Sequence, residues 1–372
     1  MKRSFIREIL EAIDSDTISF AGGLPDESLF PTKSISEITQ KILCDPSTLQ
    51  YSISSGLPSL REKIASHYCE LGLQTGVENI LITTGAQQAI DLISRVYFKN
   101  GVVAEAPAYL GALNTFSANG CVIHPIKLNK DGIDFDKFYA SFKHIKNAYL
   151  MSDFQNPTGN QYDTKTREKL AEAALKCDGI IVDDGAYMEL YFENRLPMLP
   201  SFAPNNTLHL GSFSKILAPG LRLGWIRGDK KLLQPILALK ERADLHTSTL
   251  SQKIADEFLG SSELNIHLSK IRSAYKAKCD TLAKELELNL PTFRFQKPKG
   301  GMFIYGSFED EIDAFKLTME CLKNKAVFVP GSEFYCVNHK RNEARFNFTH
   351  SSSFDTKRGI EIISNTYQSF FR

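Results

Sequence analysis

Short apolar segments alternate with amphipathic segments from about residue 80 to residue 230. The apolar segments are 80–83, 102–105, 121–124, 148–151, 179–182, 207–210 and 223–226. The segments between them, such as 87–97 and 165–176, carry apolar residues at helical spacing. Apolar strands that alternate with amphipathic helices are typical of a mostly parallel sheet covered on both faces. The pattern predicts an α/β fold, a three-layer sandwich around a seven-stranded, mostly parallel central sheet.

The two ends of the chain have different patterns. Residues 1–35 form an arm, in which a short amphipathic segment (4–13) is followed by a stretch broken by glycine and proline. Residues 229–289 are helical throughout, with one strong break at Gly260. From Gly301 onward, strands and helices form a smaller α+β unit. We therefore expect a large domain over 36–275 and a small domain made of the arm and residues 276–372.

Composition removes several classes of function. The chain has 372 residues, which is longer than a chain that folds around a single hydrophobic core, so two domains are expected. Its 44 basic and 43 acidic residues give a net charge of +1, so we expect neither nucleic acid nor a membrane as a partner. The 7 cysteines are scattered and contain no Cys-x-x-Cys pair, which favours reduced thiols in the cytoplasm over a zinc or disulfide site.

Three predicted strands are followed by segments suited to binding a flat, phosphorylated ligand. Ligands of such sheets bind at the carboxyl ends of the strands. Gly85 opens a helix after the first strand, and the free N–H groups of such a turn suit a phosphate. Tyr109 follows the second strand and could stack on a planar ring, and Asn156 follows the fourth in an Asn-Pro-Thr-Gly turn. Taken singly, each is equally an ordinary turn or core residue.

Charged side chains follow two further strands. Asp183 and Asp184 end one strand, with Tyr187 three residues later, and Lys215 follows the next. Lysine is rarely buried unless it is paired or reacted. Together these parts fit pyridoxal phosphate: Lys215 for the aldehyde, Asp184 for the ring nitrogen, and Asn156 and Tyr187 for the ring hydroxylate. The groups that suit its phosphate are Gly85, Ala86, Gln87, Ser212, Ser214 and Arg222.

The sequence resembles the fold-type I, pyridoxal-phosphate-dependent class I and II aminotransferases along nearly its whole length. The glycine-rich arm places the resemblance in the branch of 2-aminoadipate and kynurenine aminotransferases, and similar domains form the C-terminal half of MocR-type regulators. The motifs that carry it are Phe20-Ala-Gly-Gly-Leu-Pro25, Gly56-Leu-Pro-Ser-Leu-Arg61, Thr84-Gly-Ala-Gln-Gln88, Asn156-Pro-Thr-Gly159, Asp184-Gly-Ala-Tyr187, Ser212-Phe-Ser-Lys215, Gly300-Gly-Met-Phe303 and Arg345-Phe-Asn-Phe348.

The resemblance implies further roles for individual residues. Lys215 forms the Schiff base and moves the proton, with Asp184 and Tyr187 as the other catalytic residues. Arg345 binds the substrate carboxylate, helped by Asn156 and the Gly22–Gly23 backbone. Tyr51 reaches the phosphate of a neighbouring subunit, which implies a homodimer with shared sites. Arg7 is a candidate contact for an acidic substrate side chain, although a solvated charge on the arm is the simpler interpretation. Ala86 departs from the family, in which a hydroxyl residue is common at this position.

These observations predict a ping-pong transamination. The expected donor is an acidic, 2-aminoadipate-like or aromatic amino acid, and the expected acceptor is 2-oxoglutarate. A carbon–sulfur β-lyase on the same fold would need the same residues and stays open. A non-catalytic sensor domain of a MocR-type regulator is a further alternative; such a protein would carry a DNA-binding domain ahead of the arm, whereas here the arm begins at Met1.

Overall fold

The computed structural model describes residues 9, 11, 13–129, 132–261, 263–337 and 339–369. The helices of this part of the chain are α1 (Thr32–Leu43), α2 (Pro58–Glu70), α3 (Ala86–Tyr97), α4 (Leu110–Ala118), α5 (Phe135–Ile145), α6 (Thr164–Cys177), α7 (Lys230–Ala243), α8 (Thr249–Leu259), α9 (Glu263–Asn289), α10 (Ala314–Lys323) and α11 (Ser353–Ser369). The strands are β1 (Ile18–Ser19), β2 (Ile80–Thr83), β3 (Val102–Ala106), β4 (Ile123–Asn129), β5 (Gly132–Ile133), β6 (Asn147–Leu150), β7 (Ile180–Asp184), β8 (Thr207–Ser212), β9 (Gly224–Arg227), β10 (Arg294–Phe295), β11 (Phe303–Ser307), β12 (Ala326–Val327), β13 (Val329–Pro330) and β14 (Glu343–Asn347).

The central sheet has the order β2-β9-β8-β7-β6-β3-β4-β5. Strands β8, β7, β6, β3 and β4 are parallel, while β9 runs antiparallel to both of its neighbours. This confirms the mostly parallel sheet that the apolar segments predict. The sheet has an eighth strand that the pattern does not predict, because β5 is only two residues long and pairs with β4 in a hairpin.

Side chains of the central strands pack on both faces of the sheet. Tyr149 and Val182 join the core on the side of α3 and α4, whereas Leu150 and Ile181 pack with α5 and α6. Successive residues of a strand point to opposite faces, so an uninterrupted apolar run is what a strand with two covered faces requires. The three-layer arrangement follows directly from this alternation.

The C-terminal part of the chain forms a smaller antiparallel sheet with the order β10-β11-β14-β13. The arm joins this part, because β1 pairs in parallel with β12 through Ile18 and Ala326. The backbone N–H of Asn347 on β14 also donates to the carbonyl of Phe20, over 2.8 Å. Residues 18–20 of the arm therefore pack with the C-terminal part. The domain boundaries at 35 and 275 stay a prediction, and α9 continues through the second of them.

The helical stretch 229–289 is interrupted twice, so the expectation of a single break at Gly260 was wrong. Helix α7 ends at Ala243, and Leu245 has a left-handed backbone with φ of 63°. Ser248 then caps α8, since its hydroxyl accepts from the N–H of Ser251 over 3.4 Å. No glycine or proline marks this second break in the sequence. Among the described helices, none has both the length and the apolar character needed to cross a membrane.

Candidate active site

The predicted site residues converge where the parallel strands of the central sheet end. Asp184 is the last residue of β7 and Ser212 is the last residue of β8, while Asn156 lies in the turn that follows β6. Arg345 approaches from β14 of the smaller sheet. The arm lies between the two sheets and contributes the backbone carbonyls of Ala21 and Gly23.

Asp183 and Asp184 point to opposite faces of β7, and this separates their roles. Asp183 accepts hydrogen bonds from the N–H and hydroxyl of Ser152, over 3.1 and 2.9 Å. Asp184 is 2% exposed and accepts from the Tyr149 hydroxyl over 2.7 Å and from the Ala186 N–H over 3.2 Å. Burial raises the pKa of Asp184, while both hydrogen bonds act in the opposite direction. The carboxylate on the site's face of the strand is Asp184.

The amine of Lys215 is held against the arm. Its Nζ donates to the carbonyl of Gly23 over 2.7 Å. Burial, followed by the positive charges of Arg345 and Arg222, lowers the pKa of Lys215 to about 8. An amine with this pKa is partly neutral at physiological pH, as a nucleophile or a proton carrier must be.

Arg345 is a buried guanidinium whose contacts include no carboxylate in the part of the chain that the structure describes. It is 2% exposed, and Nη1 donates to Oδ1 of Asn156 over 2.8 Å while Nη2 donates to the carbonyl of Ala21 over 2.5 Å. Its third donor, Nε, has no partner among the described residues. The rings of Phe303 and Phe334 lie 4.2 and 4.9 Å from Cζ. Burial lowers the pKa of Arg345 to about 10, so it stays charged at neutral pH.

The N-terminus of α3 and Arg222 form the opposite end of the site. Gly85 precedes α3 with φ of 79°, and a Cβ on this residue would lie 2.9 Å from Nη2 of Arg222. The left-handed backbone at this position favours glycine, and the missing side chain leaves room for the guanidinium beside the helix start. The N–H of Ser214 donates to the Ser212 hydroxyl over 3.2 Å and forms the turn that leads to Lys215.

Asn156 and Tyr109 connect the remaining predicted residues. Nδ2 of Asn156 donates to the Tyr187 hydroxyl over 3.5 Å, so Asn156 links Tyr187 with Arg345. The Tyr109 hydroxyl donates to the side chain of Gln87 over 3.2 Å. Gln87 thus holds Tyr109, and what it offers to a phosphate is its backbone N–H together with that of Ala86.

Tyr51 stands apart from this cluster, and Arg7 cannot be placed in it. Tyr51 is 78% exposed and lies edge-on to His246, with 5.8 Å between the ring centroids. Arg7 lies outside the described residues, so its contact with a substrate stays a prediction.

Sequence reasoning missed Tyr149, Phe303 and Phe334. Tyr149 lies inside an apolar strand, where an aromatic residue looks like ordinary core. Phe303 ends a motif that the resemblance includes, but nothing in the sequence indicates that it stacks on Arg345. Phe334 lies outside the motifs. These contacts depend on three segments that meet only in the folded chain.

The residues present fit pyridoxal phosphate. Arg345 and Arg222 lie near enough to Lys215 to lower its pKa, and Asp184 is the buried carboxylate among the predicted site residues. These residues together carry an excess of positive charge. A dianionic phosphate and a substrate carboxylate would balance that excess. The unpartnered Nε of Arg345 and the cradle at Gly85 lie where such anions need donors. Among the described histidine, cysteine and acidic residues, no group of three is placed to hold a metal ion.

Comparison with known proteins agrees with this geometry. Residues 16–363 match the family model described as aminotransferase class I and II. The aromatic-amino-acid aminotransferase 1 of Thermococcus litoralis is 35% identical, over 98% of this chain and 92% of the relative. The 2-aminoadipate transaminase of Thermus thermophilus is also 35% identical, over 94% of this chain and 89% of the relative. The structure of a kynurenine aminotransferase from Pyrococcus horikoshii superposes with a TM-score of 0.94 at 33% identity, over 100% of this chain and 96% of that one. The chain therefore belongs to the class I and II aminotransferase family, whose members use pyridoxal phosphate.

Proposed function

We propose that this protein transfers the amino group of an acidic, 2-aminoadipate-like or aromatic α-amino acid to 2-oxoglutarate. The two relatives at 35% identity support this range of donors, since one is named for aromatic amino acids and the other for 2-aminoadipate. The contacts of Arg345 with two phenyl rings place apolar surface beside the carboxylate donor. Such surface suits the body of a long or aromatic side chain.

The observation that carries the proposal is the state of Arg345. A buried cation without an anionic partner is costly, and the cost is removed when a carboxylate binds. Nε is a donor with no partner among the described residues, and Nη2 is held only by a main-chain carbonyl. A guanidinium presents such donors in a planar fork that fits a carboxylate. Arg345 is thus suited to the α-carboxylate of an amino acid.

The other residues divide the remaining work. Pyridoxal phosphate, when bound, supplies an aldehyde that condenses with amines and a ring that accepts an electron pair. Asp184 holds a proton at the ring nitrogen, and Asn156 and Tyr187 donate to the ring hydroxylate. Lys215 takes a proton from the substrate α-carbon and returns it, because its pKa of about 8 lets it carry and release a proton near neutral pH.

The proposal includes a homodimer in the cytoplasm. Near Tyr51 the large apolar side chains of Leu49, Ile53 and Leu245 are also exposed, and a patch of exposed apolar side chains is typical of an interface. A second copy placed on this patch would bring Tyr51 towards its partner's phosphate site. All the cysteines are free thiols, which agrees with a reducing compartment.

An absorbance titration tests the function. The purified protein is mixed with pyridoxal phosphate and then with single amino acids, and formation of 2-oxoacid and glutamate from 2-oxoglutarate is measured. We expect a visible absorbance band that acidic and aromatic amino acids remove. A β-lyase would instead release pyruvate and ammonia from a cysteine conjugate without any acceptor.

Two variants accompany this titration. Lys215→Ala should bind the cofactor and lose transamination by several orders of magnitude, because it lacks the proton carrier. Lys230→Ala, which removes an exposed lysine at the start of α7, should match the wild type. Full turnover by Lys215→Ala would rule out the assignment.

A further inference from the structure

Tyr149 is a buried phenol directed at the carboxylate of Asp184. Its exposed fraction is 0%, and its hydroxyl donates to Oδ2 of Asp184 over 2.7 Å. The strand register explains the contact: Tyr149 on β6 pairs with Val182 on β7, and Asp184 lies two residues further along the same face. A diagonal neighbour at this spacing is within reach of a long aromatic side chain.

The ring of Tyr149 has little freedom to turn away. Phe116 of α4 packs edge-on against it, with 5.4 Å between the ring centroids, and Phe98 packs edge-on against Phe116 at 5.3 Å. Rotating the phenol would break this packing and leave a buried hydroxyl without an acceptor. The hydrogen bond to Asp184 is therefore fixed by the core of the central sheet, independently of anything bound in the site.

Within the described part of the chain, Asp184 has one donor besides Tyr149. Its second oxygen, Oδ1, accepts from the Ala186 N–H over 3.2 Å. The neighbouring Asp183 is held on the opposite face by two bonds from Ser152. Tyr149 thus provides the shorter of the two hydrogen bonds that keep Asp184 in place beneath the site.

We propose that Tyr149 is a positioning residue that holds Asp184 ionised and oriented towards the ring nitrogen of the cofactor. The inference rests on the proposed function, since Asp184 meets a ring nitrogen only if pyridoxal phosphate binds here. A buried carboxylate without donors tends to take up a proton, and a protonated Asp184 cannot form an ion pair with a protonated ring.

The direction of the electrostatic effect agrees with this role. Burial raises the pKa of Asp184, and the Tyr149 hydrogen bond lowers it. Conversely, burial and the charge of Asp184 raise the pKa of Tyr149 well above its ordinary value, so the phenol keeps its proton and remains a donor. Removing the hydroxyl should therefore raise the pKa of Asp184 further.

Other titratable groups surround the pair. Tyr109, from the start of α4, acts on both Tyr149 and Tyr187, and the buried carboxyl of Glu105, on β3, also acts on Tyr149. Arg345, from β14, acts on Tyr187. On β8, the ring of His209 lies against Gly185, the residue after Asp184. All these groups stay in place when only the Tyr149 hydroxyl is removed.

The test compares three apoproteins, the wild type, Tyr149→Phe and Tyr162→Phe. Tyr162 is the matched control, because it is equally buried and donates to another buried carboxylate, Glu105, over 2.5 Å. The dissociation constant of pyridoxal phosphate is measured by absorbance from pH 5 to pH 9. Binding should weaken as pH falls through the pKa of Asp184, since protonation removes the negative charge. The titrations of the cofactor itself are common to all three proteins and cancel in the comparison.

The acid limb is the pH range in which binding of pyridoxal phosphate weakens as pH falls. We expect Tyr149→Phe to move this limb to higher pH by about one unit, because one unit corresponds to the free energy of a hydrogen bond to a charged group. Tyr162→Phe should leave the limb in place. If the limb coincides in all three proteins, or moves equally in both variants, the role of Tyr149 is overturned while the proposed function stands. If the wild type does not bind pyridoxal phosphate at all, the proposed function fails instead.

A second replacement keeps the hydroxyl and guards against misfolding. A fluorinated tyrosine at position 149 has a more acidic phenol and is a stronger donor, so it should move the acid limb to lower pH. An unchanged limb, or a shift to higher pH, would contradict the inference without any loss of the core packing.

Discussion

At the residue scale, the two cations nearest to the expected substrate donate to main-chain carbonyls of the arm. Lys215 donates to Gly23 and Arg345 to Ala21. A neutral carbonyl is a weaker partner for a cation than a carboxylate. An amino acid can therefore displace the arm from Arg345 and gain a charge-assisted pair in its place.

Arg345→Gln should lower kcat/KM for the best amino donor by about a hundredfold or more, because a buried charged pair with the carboxylate is lost. The affinity for pyridoxal phosphate should change little. The measurement compares the amino acid with the amine that lacks its carboxylate: the wild type should strongly prefer the acid, and the variant should lose most of that preference. An equal preference in both proteins would contradict the role of Arg345.

The sequence allows some of these residues to be predicted and conceals others. Lys215, Asp184 and Asn156 lie at or just after the ends of apolar strands, where a polar side chain is easy to recognise. Because the carboxyl ends of parallel strands meet at one edge of the sheet, the topology places all three residues at that edge. The family motifs indicate the same three residues. Tyr149 is concealed because a phenol inside an apolar strand has the same pattern whether or not its hydroxyl has a partner, and that partner is 35 residues away in the sequence.

At the scale of elements, the unexpected break between α7 and α8 supports the phosphate loop. Asp244, in this break, accepts from Nε2 of Gln88 over 2.6 Å and from the Thr84 hydroxyl over 3.2 Å. The buried amine of Lys240 donates to its other oxygen over 2.6 Å. Gln88 in turn accepts from the N–H of Thr84 over 2.8 Å. The loop that starts α3 is thus fixed from its far side, although Ala86 lacks a hydroxyl.

Asp244→Asn should weaken binding of pyridoxal phosphate by about tenfold, because it loosens the loop and leaves Lys240 with a neutral partner. Binding of pyridoxal, which lacks the phosphate, should change little. Asp256→Asn is the matched control, since Asp256 lies on α8 and pairs with Lys63 over 2.7 Å without touching the loop. Equal losses for pyridoxal and its phosphate would show that Asp244 acts on the fold as a whole.

The elements themselves were predictable where the period is clear. The strands of the central sheet follow from apolar runs, because burial on both faces favours apolar side chains at successive positions. The strand β5 was missed because a strand of two residues is too short to show an alternating or apolar pattern. The break at 244–248 was missed since it contains neither glycine nor proline, and Leu245 has a left-handed backbone that a leucine rarely adopts.

At the scale of the whole molecule, the arm and the C-terminal part cover one side of the site, while the exposed patch around Tyr51 lies on the surface. The sequence pattern predicted that the arm packs with the C-terminal unit, and the pairing of β1 with β12 agrees. Tyr51 is 78% exposed in the single chain, so its predicted contact with a phosphate requires a second copy of the chain.

Mixed dimers test that contribution. Tyr51→Phe should weaken cofactor binding, and Lys215→Ala should abolish turnover. If Tyr51 serves the partner's site, a hybrid of the two variants contains one site with both an intact Lys215 and an intact Tyr51. Activity at limiting cofactor should then exceed the sum of the two variants measured separately. Activity equal to that sum would place Tyr51 in its own subunit's site or outside any site.

The carbonyls of Ala21 and Gly23 also bear on how such an arm can change during evolution. Every amino acid carries a carbonyl, so substitutions in the arm that preserve its backbone path keep the resting bonds to Arg345 and Lys215. The side chains of the arm are then free to change without loss of these two hydrogen bonds. Main-chain atoms of the arm hold Arg345 and Lys215, and its side-chain atoms remain available for contacts that select a substrate.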